Sequence, residues 1–335
     1  MAIGIKSFPV QQETPFVDFV GLGLNATDTL IRLPHFPEMG SKVEIISQQV
    51  LLGGQVASAA VACQRWGWRT RYIGKVGDDD AGRMQRAAFA AEGLESRLIE
   101  VPGCRSQMAF ILVDKSSGER TVLWSRDPRL DFDPQDLTRE WITRASLLHV
   151  DGHPCAPATV AVRWAREAGM IVTADLDNLY PGVEALLEYV DYAITSREFP
   201  ERLTGISNLP EALIEIANRF GCRVTGATLG SDGVLAWDGS NFHYCSGFRV
   251  EAVDTTGAGD IFHAGLAHSL LRAESLDHAL EFGCAAAALN CTALGARGGI
   301  RPVTEIEQLM RKGERRAPLY NVGELHRYIS SKRLS

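Results

Sequence analysis

In the second half of the chain, short runs of apolar and β-branched residues alternate with longer stretches in which apolar positions recur every three to four residues. The short runs predict buried strands and the longer stretches predict helices. The predicted strands are 146–150, 171–175, 189–194 and 223–229. The predicted helices are 156–168, 209–220, 258–272 and 276–292. Such alternation is typical of an α/β fold with a mostly parallel central sheet and helices on both faces.

The first half of the chain predicts the same kinds of element, together with a second, smaller sheet. Apolar runs at 16–24 and 71–76 predict strands, and 54–66 and 81–92 predict helices. In segment 30–52, two prolines precede an alternating apolar and polar stretch, which is typical of exposed antiparallel strands.

A hairpin is predicted from 108–113 and 119–124, which flank a Ser-Ser-Gly turn. With 30–52, the segment 105–124 forms a candidate β-sheet lid. Because no repeat or linker interrupts the pattern, residues 14–325 are predicted to be a single domain.

Composition narrows the possible partners. The chain has 335 residues, 45% of them hydrophobic, and a formal net charge of −7. A negative chain repels phosphate backbones and anionic lipids, so neither nucleic acid nor a membrane surface is expected as a partner. The seven cysteines show no metal-binding spacing, and no apolar run is long enough for a membrane span. We therefore expect reduced thiols and a cytoplasmic location.

One segment indicates a specific chemical function. It lies directly before an apolar helix and reads Asp254-Thr255-Thr256-Gly257-Ala258-Gly259-Asp260. Glycines at a helix N-terminus leave backbone N–H groups unshielded, and the helix dipole adds partial positive charge, so the segment predicts an anion hole. A carboxylate there is suited to accept a proton from an attacking hydroxyl. The alternative is that Asp260 only caps its own helix.

With Phe262, this segment resembles the C-terminal signature of the ribokinase-like (PfkB) sugar kinases. Two further stretches, 53–58 with 74–79 and 228–233, resemble the family's glycine-pair and nucleotide-phosphate motifs. The likeness covers about residues 16–303. It implies a ribokinase-like fold and an ATP-dependent, magnesium-requiring kinase for a small sugar.

The resemblance also implies a role for individual residues. Asp260 would be the general base, with Gly257, Ala258 and Gly259 holding the γ-phosphate. The sugar would be bound by Asp28, Gly53, Gly54 and Ser58. We add Asp151, which follows a predicted strand at the edge of the sheet where ligands bind in such folds. ATP would be bound by Ser196, Thr228, Gly230, Ser231 and Gly233.

Two further expectations come from the family. Backbone carbonyls would bind a potassium ion, and by resemblance they belong to Asp254, Thr256, Asn290, Ala293, Gly295 and Gly299. The lid would pair with that of a second copy, which predicts a homodimer.

The sequence also departs from the family pattern. Ribokinases carry an asparagine where this chain has Ser58, which argues against ribose as the substrate. The family's Asn-x-x-Glu motif appears as 196–199, in which the second acid is lost or displaced to Glu198. Short stretches around Cys284 and His263 resemble ketohexokinase and sulfofructose kinase, respectively. A ketose or a related sugar is therefore the expected substrate.

Other functions compete with this interpretation. Residues 21–26 resemble the glycine fingerprint of a dinucleotide-binding site. Such a site needs a helix directly afterwards to bind the pyrophosphate, whereas Pro34 and Pro37 follow here. A nucleoside kinase of the same fold and a non-catalytic sugar or nucleotide sensor stay open as alternatives. Alternation of His149, Asp151 and His153 permits a metal site, although sugar contact is favoured. His263 is interpreted as a packed helix residue.

Overall fold

The computed structural model describes residues 14–116, 120–325 and 327. In chain order, the strands in these residues are β1 (Val17–Leu22), β2 (Ala26–Leu33), β3 (Ser47–Gly53), β4 (Thr70–Gly77), β5 (Glu95–Val101), β6 (Met108–Asp114), β7 (Arg120–Ser125), β8 (Ala145–Val150), β9 (Ile171–Leu176), β10 (Tyr192–Thr195), β11 (Val224–Thr228), β12 (Val234–Trp237) and β13 (Phe242–Cys245). The helices are α1 (Gln55–Arg65), α2 (Asp80–Ala91), α3 (Arg139–Thr143), α4 (Cys155–Glu167), α5 (Val183–Leu187), α6 (Phe199–Thr204), α7 (Leu209–Phe220), α8 (Ala258–Leu271), α9 (Leu276–Asn290) and α10 (Val303–Lys312).

The central sheet has nine strands in the order β13-β12-β11-β10-β9-β8-β1-β4-β5. All neighbours from β11 to β5 are parallel, whereas β12 and β13 add an antiparallel edge. Consecutive residues point to opposite faces: Phe19 packs with α1, α8 and α9, and Val20 packs with α4 and α5. The predicted α/β architecture, with helices on both faces of a mostly parallel sheet, is confirmed.

The second sheet has four strands in the order β3-β2-β6-β7. In one cross-strand row, Val50, Thr29, Phe110 and Leu123 lie side by side, and the three apolar members are between 40% and 53% exposed. The opposite face carries Ile111, Val122 and Trp124, which line a cavity against the central sheet. The predicted small β-sheet is therefore present, with strands at 26–33, 47–53, 108–114 and 120–125.

Some elements differ from the sequence-based prediction. Strand β10 begins at Tyr192 and not at residue 189, because the preceding residues form α5 and the turn after it. Strand β5 was not predicted, and its residues 95–101 are only partly buried at the edge of the sheet. The hairpin of β12 and β13 was also missed. Most of the predicted turn between β6 and β7, at residues 117–118, lies outside the described residues.

Two further findings concern the described residues as a whole. In the described residues, we find no helix with the length and apolar character that a membrane span requires. All seven cysteines lie in this part of the chain and all are free thiols.

The two longest helices cross at a pair of glycines. A Cβ atom on Gly265 of α8 would lie 2.7 Å from the Cα of Gly283 in α9, and one on Gly283 would lie 2.8 Å from the Phe262 ring. Side-chain carbon atoms do not approach so closely, so neither position accepts even a methyl group without movement of the helices. This contact fixes the position of α8, the helix that follows the acidic glycine-rich segment.

We therefore predict that Gly265→Ala lowers the free energy of unfolding by about 1 to 3 kcal/mol through overpacking, measured by urea denaturation. Gly323→Ala is the control, because its Cβ would meet only Asn321 Oδ1 at 3.4 Å. Equal stability of both variants would contradict this account of the helix crossing.

Candidate active site

The acidic glycine-rich segment is held in place by the carboxylate of Asp254. Asp254 Oδ1 accepts hydrogen bonds from the Thr256 N–H at 2.9 Å and the Thr256 hydroxyl at 2.7 Å, and Asp254 Oδ2 accepts one from the Gly295 N–H at 2.8 Å. The side chain is buried. Because one carboxylate joins two loops, the turn into α8 is fixed before any ligand arrives.

Gly257 makes the turn into α8. Its φ is +75°, and a Cβ there would lie 2.5 Å from the Cα of Ala296, so the position requires glycine. Gly259 is different, because a Cβ on it would meet no atom within 4 Å. The first turn of the helix is therefore open at this point.

The amides of this turn differ in their availability. The Ala258 N–H already donates to the Thr255 carbonyl at 3.3 Å. Within the described residues, the N–H groups of Gly257, Gly259 and Asp260 donate to no protein acceptor recorded in the structure. Three backbone N–H groups at the start of α8 are thus open, as the predicted anion hole requires, whereas that of Ala258 is already engaged.

Two cavities meet at this turn. The first contains the residues predicted to bind nucleotide at the end of β11, and its walls are otherwise largely apolar. Its lining includes Thr228, Gly230, Ser231, Gly233, Phe248, Thr255, Ala258, Gly259 and Cys284. The second lies between the central sheet and the four-stranded sheet. Its lining includes Asp28, Gly54, Thr256, Gly257 and Asp260. Residues 255–260 therefore form a wall that both cavities share.

Burial raises the pKa of Asp260 well above that of an ordinary aspartate, and the negative charge of Asp175 raises it further. A hydrogen bond from the Ser58 hydroxyl and the positive charge of Arg297 act in the opposite direction, because both favour the ionised carboxylate. Asp260 is only partly buried and lines the second cavity, so it is accessible to a small ligand. The carboxylate therefore has the accessibility and the raised proton affinity of a general base.

Asp28 is the second carboxylate of this cavity, and the predicted glycine pair surrounds it. Burial raises its pKa to about 6. A Cβ on Gly53 would lie 2.4 Å from Asp28 Oδ2, and one on Gly54, where φ is +98°, would lie 2.4 Å from the Cα of Asn25. Both glycines are therefore required by close approach of neighbouring atoms.

A buried arginine joins this pair to the base. Arg297 donates to the Gly53 carbonyl at 2.8 Å and lies 3.5 Å from the Ser58 hydroxyl. Burial lowers the pKa of Arg297 to about 10, and the carboxylates of Asp260 and Asp28 partly oppose that shift. The guanidinium is thus a shared counterion beneath the cavity.

A second buried group lies behind Asp260. His263 Nε2 is 3.3 Å from Asp175 Oδ1, and the His263 ring lies 5.3 Å from that of His149. His149 Nδ1 is in turn 2.9 Å from the Thr173 hydroxyl. The interpretation of His263 as a packed residue is confirmed, since its side chain is buried against the sheet.

Four of the residues predicted to bind the sugar or the nucleotide line neither cavity: Gly53, Ser58, Asp151 and Ser196. Ser58 is fully buried and contacts Asp260 and Arg297 from below. Asp151 is also fully buried: its carboxylate accepts the Leu24 N–H at 2.6 Å and the His153 N–H at 3.0 Å. We had expected both to contact the sugar, but their side chains are engaged with the protein.

Ser196 was expected to contact the nucleotide. Its hydroxyl instead donates to the Asp177 carbonyl at 3.2 Å, outside the first cavity. The metal site that the alternation of His149, Asp151 and His153 would permit, and that the sequence does not favour, gains no support: we find no cluster of three metal-ligating side chains in the described residues.

Several cavity residues were missed from the sequence. They come from loops and from the four-stranded sheet, and they are Gln107, Arg120, Trp124, Arg126, Asp177 and Tyr180. The alternation of β7 offered one signal, since residues 120, 122 and 124 share a face. The other residues lie in loops next to strand ends, where sequence spacing does not fix the direction of a side chain.

The residues predicted to supply carbonyls to a cation form one cluster. The Asn290 side chain donates to the carbonyls of Thr256 at 3.3 Å and Ala296 at 3.2 Å, and accepts the Gly299 N–H at 3.1 Å. The Ala293 N–H donates to the Asn290 carbonyl at 3.3 Å. The cluster brings Asp254, Thr256, Asn290, Ala293, Gly295 and Gly299 together, and carbonyls such as those of Thr256 and Asn290 keep a second lone pair.

Comparisons with known proteins agree with this arrangement. The sequence profile of the family described as "pfkB family carbohydrate kinase" matches residues 26–302. The ribokinase of Haemophilus influenzae is 31% identical over 286 residues, which cover 83% of this chain and 94% of the relative. Fructokinase-1 of Zea mays is 29% identical, over 78% of this chain and 88% of the relative.

Two further matches bear on the acceptor and on the fold. The aminoimidazole riboside kinase of Salmonella typhimurium is 30% identical over 73% of this chain and 80% of the relative. The structure of Arabidopsis thaliana ribokinase complexed with ribose and ATP superposes with a TM-score of 0.75 at 21% identity, over 89% of this chain and 99% of that one. This last likeness concerns the fold alone.

The environment of Asp260 yields a prediction that needs no ligand. Ser58→Ala removes a hydrogen bond that favours the ionised carboxylate, so the pKa of Asp260 should rise further. NMR titration of protein carrying ¹³C-labelled aspartate measures the pKa of Asp260 in both proteins. The control is Ser269→Ala, which removes another fully buried serine hydroxyl, in the last turn of α8. An unchanged Asp260 titration in Ser58→Ala would contradict the proposed contact.

Proposed function

The chain belongs to the PfkB family of carbohydrate kinases, and we propose that it transfers the γ-phosphate of ATP to a hydroxyl of a small sugar, with Asp260 as the general base. Phosphoryl transfer to an alcohol is the reaction of its relatives, so the chain is a sugar or nucleoside kinase. The identity of the acceptor and the roles of single residues are our proposals.

The observation that carries the mechanism is the wall shared by the two cavities. Ala258 and Gly259 line the first cavity, and Gly257 and Asp260 line the second. A phosphoryl group that passes from a nucleotide in the first to an acceptor in the second must cross this turn. Open N–H groups at the start of α8 would stabilise the negative charge on the group in transit.

Asp260 would accept the proton of the acceptor hydroxyl while the oxygen of that hydroxyl bonds to the γ-phosphorus of ATP. The bond between that phosphorus and the bridging oxygen breaks, and ADP leaves. A raised pKa suits this step, because a base is most effective when its pKa lies near the working pH. Ser58 and Arg297 would hold the carboxylate ionised before the hydroxyl arrives.

The first cavity fits a nucleotide. Apolar residues such as Phe248 and Cys284 offer a surface for a base, while the space beside Gly230 is open, because a Cβ there would meet no atom within 4 Å. A Cβ on Gly233 would lie 1.9 Å from the Cys245 carbonyl, so only glycine fits this turn. Magnesium would enter with the ATP phosphates, consistent with its preference for few protein ligands. The cluster around Asn290 is our proposed potassium site.

We propose a ketose or a related sugar as the acceptor. Asp28 and Asp260 supply carboxylates for hydroxyl groups, and the fructokinase relative supports a ketose. The inner face of the four-stranded sheet is apolar at Ile111, Val122 and Trp124. That face, together with the aminoimidazole riboside kinase relative, supports a nucleoside as the second candidate, because a base could stack on Trp124.

We also propose a domain organisation and a cellular location for the enzyme. We propose that residues 14–325 act as one catalytic domain, with the four-stranded sheet as the lid that excludes water from the reacting groups. Seven free cysteines support a reducing compartment, such as the cytoplasm.

Asp260→Asn should lower kcat by at least about a hundredfold and leave ATP binding within about threefold, because the amide cannot accept the proton. ADP release measures the rate, with ketoses, aldoses, sugar acids and nucleosides as acceptors, and calorimetry measures ATP binding. The control is Asp80→Asn, which changes an exposed aspartate that also lies in the first turn of a helix.

Two outcomes would reject parts of this proposal. Full activity of Asp260→Asn would exclude the carboxylate as the base. If the unmodified protein binds ATP and sugars but releases no ADP with any acceptor, the sensor function replaces the kinase.

We further propose that the outer row of the lid, formed by Val50, Phe110 and Leu123, pairs with a second copy. Phe110→Glu should convert a dimer into a monomer in light scattering, because it places a charge in an apolar contact. Phe36→Glu, an exposed position outside this row, should leave the dimer intact. A monomeric unmodified protein, or a dimeric Phe110→Glu variant, would contradict the pairing.

A further inference from the structure

Two cysteines meet at the wall of the first cavity. Cys245 is the last residue of β13, and Cys284 lies in α9, which packs against that strand. Cys284 is buried and lines the first cavity, whereas Cys245 is partly exposed and packs against the apolar cluster that contains Cys284. The two thiols hydrogen-bond to each other. A pair of sulfur atoms therefore stands where the cavity wall meets the edge of the central sheet.

An arginine is held against this pair. Arg315 Nη1 donates to Cys245 Sγ at 3.2 Å and to the Ser246 carbonyl at 3.3 Å. The guanidinium carbon lies 3.8 Å from the centre of the Phe248 ring, and Nη2 forms an ion pair with Glu281 of α9. A guanidinium has no acceptor, so the Cys245 sulfur must accept this hydrogen bond. A thiolate accepts such a bond better than a thiol does, and the arginine therefore favours the ionised form of Cys245.

The other cysteines lie in different surroundings. Burial raises the pKa of the five thiols outside the pair, those of Cys63, Cys104, Cys155, Cys222 and Cys291. All seven cysteines belong to the described residues, and Cys245 is the one whose pKa is lowered. The hydrogen bond from Cys284 and the positive charge of Arg315 lower it, against the effects of burial and of Glu281. Cys245 is thus the most nucleophilic thiol of the chain at neutral pH.

A thiolate beside a thiol has a defined reaction with peroxides. The thiolate attacks a peroxide oxygen, and the sulfenic acid that results condenses with a neighbouring thiol to a disulfide. Cys284 is that neighbour, and its hydrogen bond to Cys245, together with burial, raises its own pKa. The two cysteines therefore have separate roles: Cys245 reacts with the peroxide, and Cys284 reacts with Cys245.

We propose that Cys245 and Cys284 form a peroxide-reactive dithiol site whose oxidation weakens nucleotide binding in the first cavity. The Cys245 thiolate attacks one oxygen of hydrogen peroxide, the O–O bond breaks, and hydroxide leaves. The Cys284 thiol gives its proton to that hydroxide, which becomes water. The Cys284 sulfur then attacks the sulfur of the sulfenic acid, the S–O bond breaks, and a second hydroxide leaves. The two sulfur atoms lose two electrons, and the peroxide is reduced to one water and one hydroxide.

The disulfide changes the wall of the cavity. Cys284 Sγ moves toward β13, because a covalent S–S bond is shorter than any contact between two thiols. Arg315 loses its thiolate partner in the same reaction, and the Phe248 ring beneath Arg315 lines the same cavity. Both changes alter the surface that we propose for the base of the nucleotide. The effect on ATP binding rests on the proposed function, whereas the reaction of the two thiols does not.

Peptide mapping by mass spectrometry tests the dithiol site. When the reduced chain is treated with a slight excess of hydrogen peroxide, a disulfide between Cys245 and Cys284 should be the first product. In Cys284→Ala the reaction should stop at the Cys245 sulfenic acid, which dimedone traps. The control is Cys104→Ala, which changes a buried cysteine outside this cavity and should give the same disulfide as the unmodified protein.

The rate of oxidation tests the role of the arginine. Arg315→Gln should slow oxidation of Cys245 at neutral pH by about tenfold, because less of the thiol is ionised without the adjacent charge. Arg311→Gln, which changes an exposed arginine of α10, should leave the rate unchanged.

Calorimetry with ATP and Mg²⁺ tests the consequence for the nucleotide. Peroxide should raise the Kd of the unmodified protein for ATP by at least about tenfold, and dithiothreitol should restore it. Cys245→Ala should keep its ATP affinity through the same treatment, because it lacks the thiol that peroxide attacks. Cys245 does not line the first cavity, so this variant should bind ATP as the unmodified protein does before treatment.

Each contrary result has a distinct meaning. If another cysteine is oxidised first, or if no disulfide joins Cys245 and Cys284, the dithiol site is overturned. Equal oxidation rates in Arg315→Gln and the unmodified protein would overturn the activation of Cys245 by the arginine. If the disulfide forms and the Kd for ATP stays the same, the control of nucleotide binding is overturned. If the reduced protein binds no ATP at all, the proposed nucleotide cavity fails and this control fails with it, while the peptide map still decides the dithiol site.

Discussion

The site depends on the carboxylate of Asp254, which binds the turn before α8 to the loop at Gly295. Backbone hydrogen bonds, such as that from the Val253 N–H to the Cys291 carbonyl at 2.7 Å, hold the chain between β13 and α8, and the Asp254 carboxylate adds the contact that joins its last turn to the loop at Gly295. With it, Gly257 is pressed against Ala296 and the first turn of α8 opens toward both cavities. Amides at a helix N-terminus bind anions only when their direction is fixed, so this buried contact precedes all the chemistry.

A second constraint is the shortage of positive charge beneath the second cavity. Asp28, Asp175 and Asp260 lie near one another, and Arg297 is the buried guanidinium whose charge acts on Asp28 and Asp260. Burial and mutual repulsion raise the pKa of both these carboxyls, while Asp175 keeps a lowered pKa beside His263. The protein thus separates two kinds of carboxylate by environment: one stays ionised against a histidine, and the others hold protons more tightly.

Sequence patterns predict much of this structure, and the failures have physical causes. The alternation of apolar runs and amphipathic stretches predicts the central sheet because its inner strands are buried on both faces. The β12–β13 hairpin was missed since its strands have only four residues each and lie at an edge. Ser58 and Asp151 were assigned to the cavity because spacing places a residue on an element, whereas the direction of its side chain depends on neighbours such as Arg297 and Leu24. Arg120 was missed for a different reason: the alternation of β7 gives its face, but it does not show which part of the chain that face meets.

The walls of the two cavities come from different sheets. The first cavity, where we propose that the nucleotide binds, is built on the edge of the central sheet and on α8 and α9. Much of the second, the proposed acceptor cavity, belongs to the four-stranded sheet. Substitutions on the inner face of that small sheet can therefore alter which alcohol is accepted while the machinery for the donor stays intact. Such modularity gives a physical basis for divergence, in which related enzymes keep one reaction and exchange their substrates by changing a few strands.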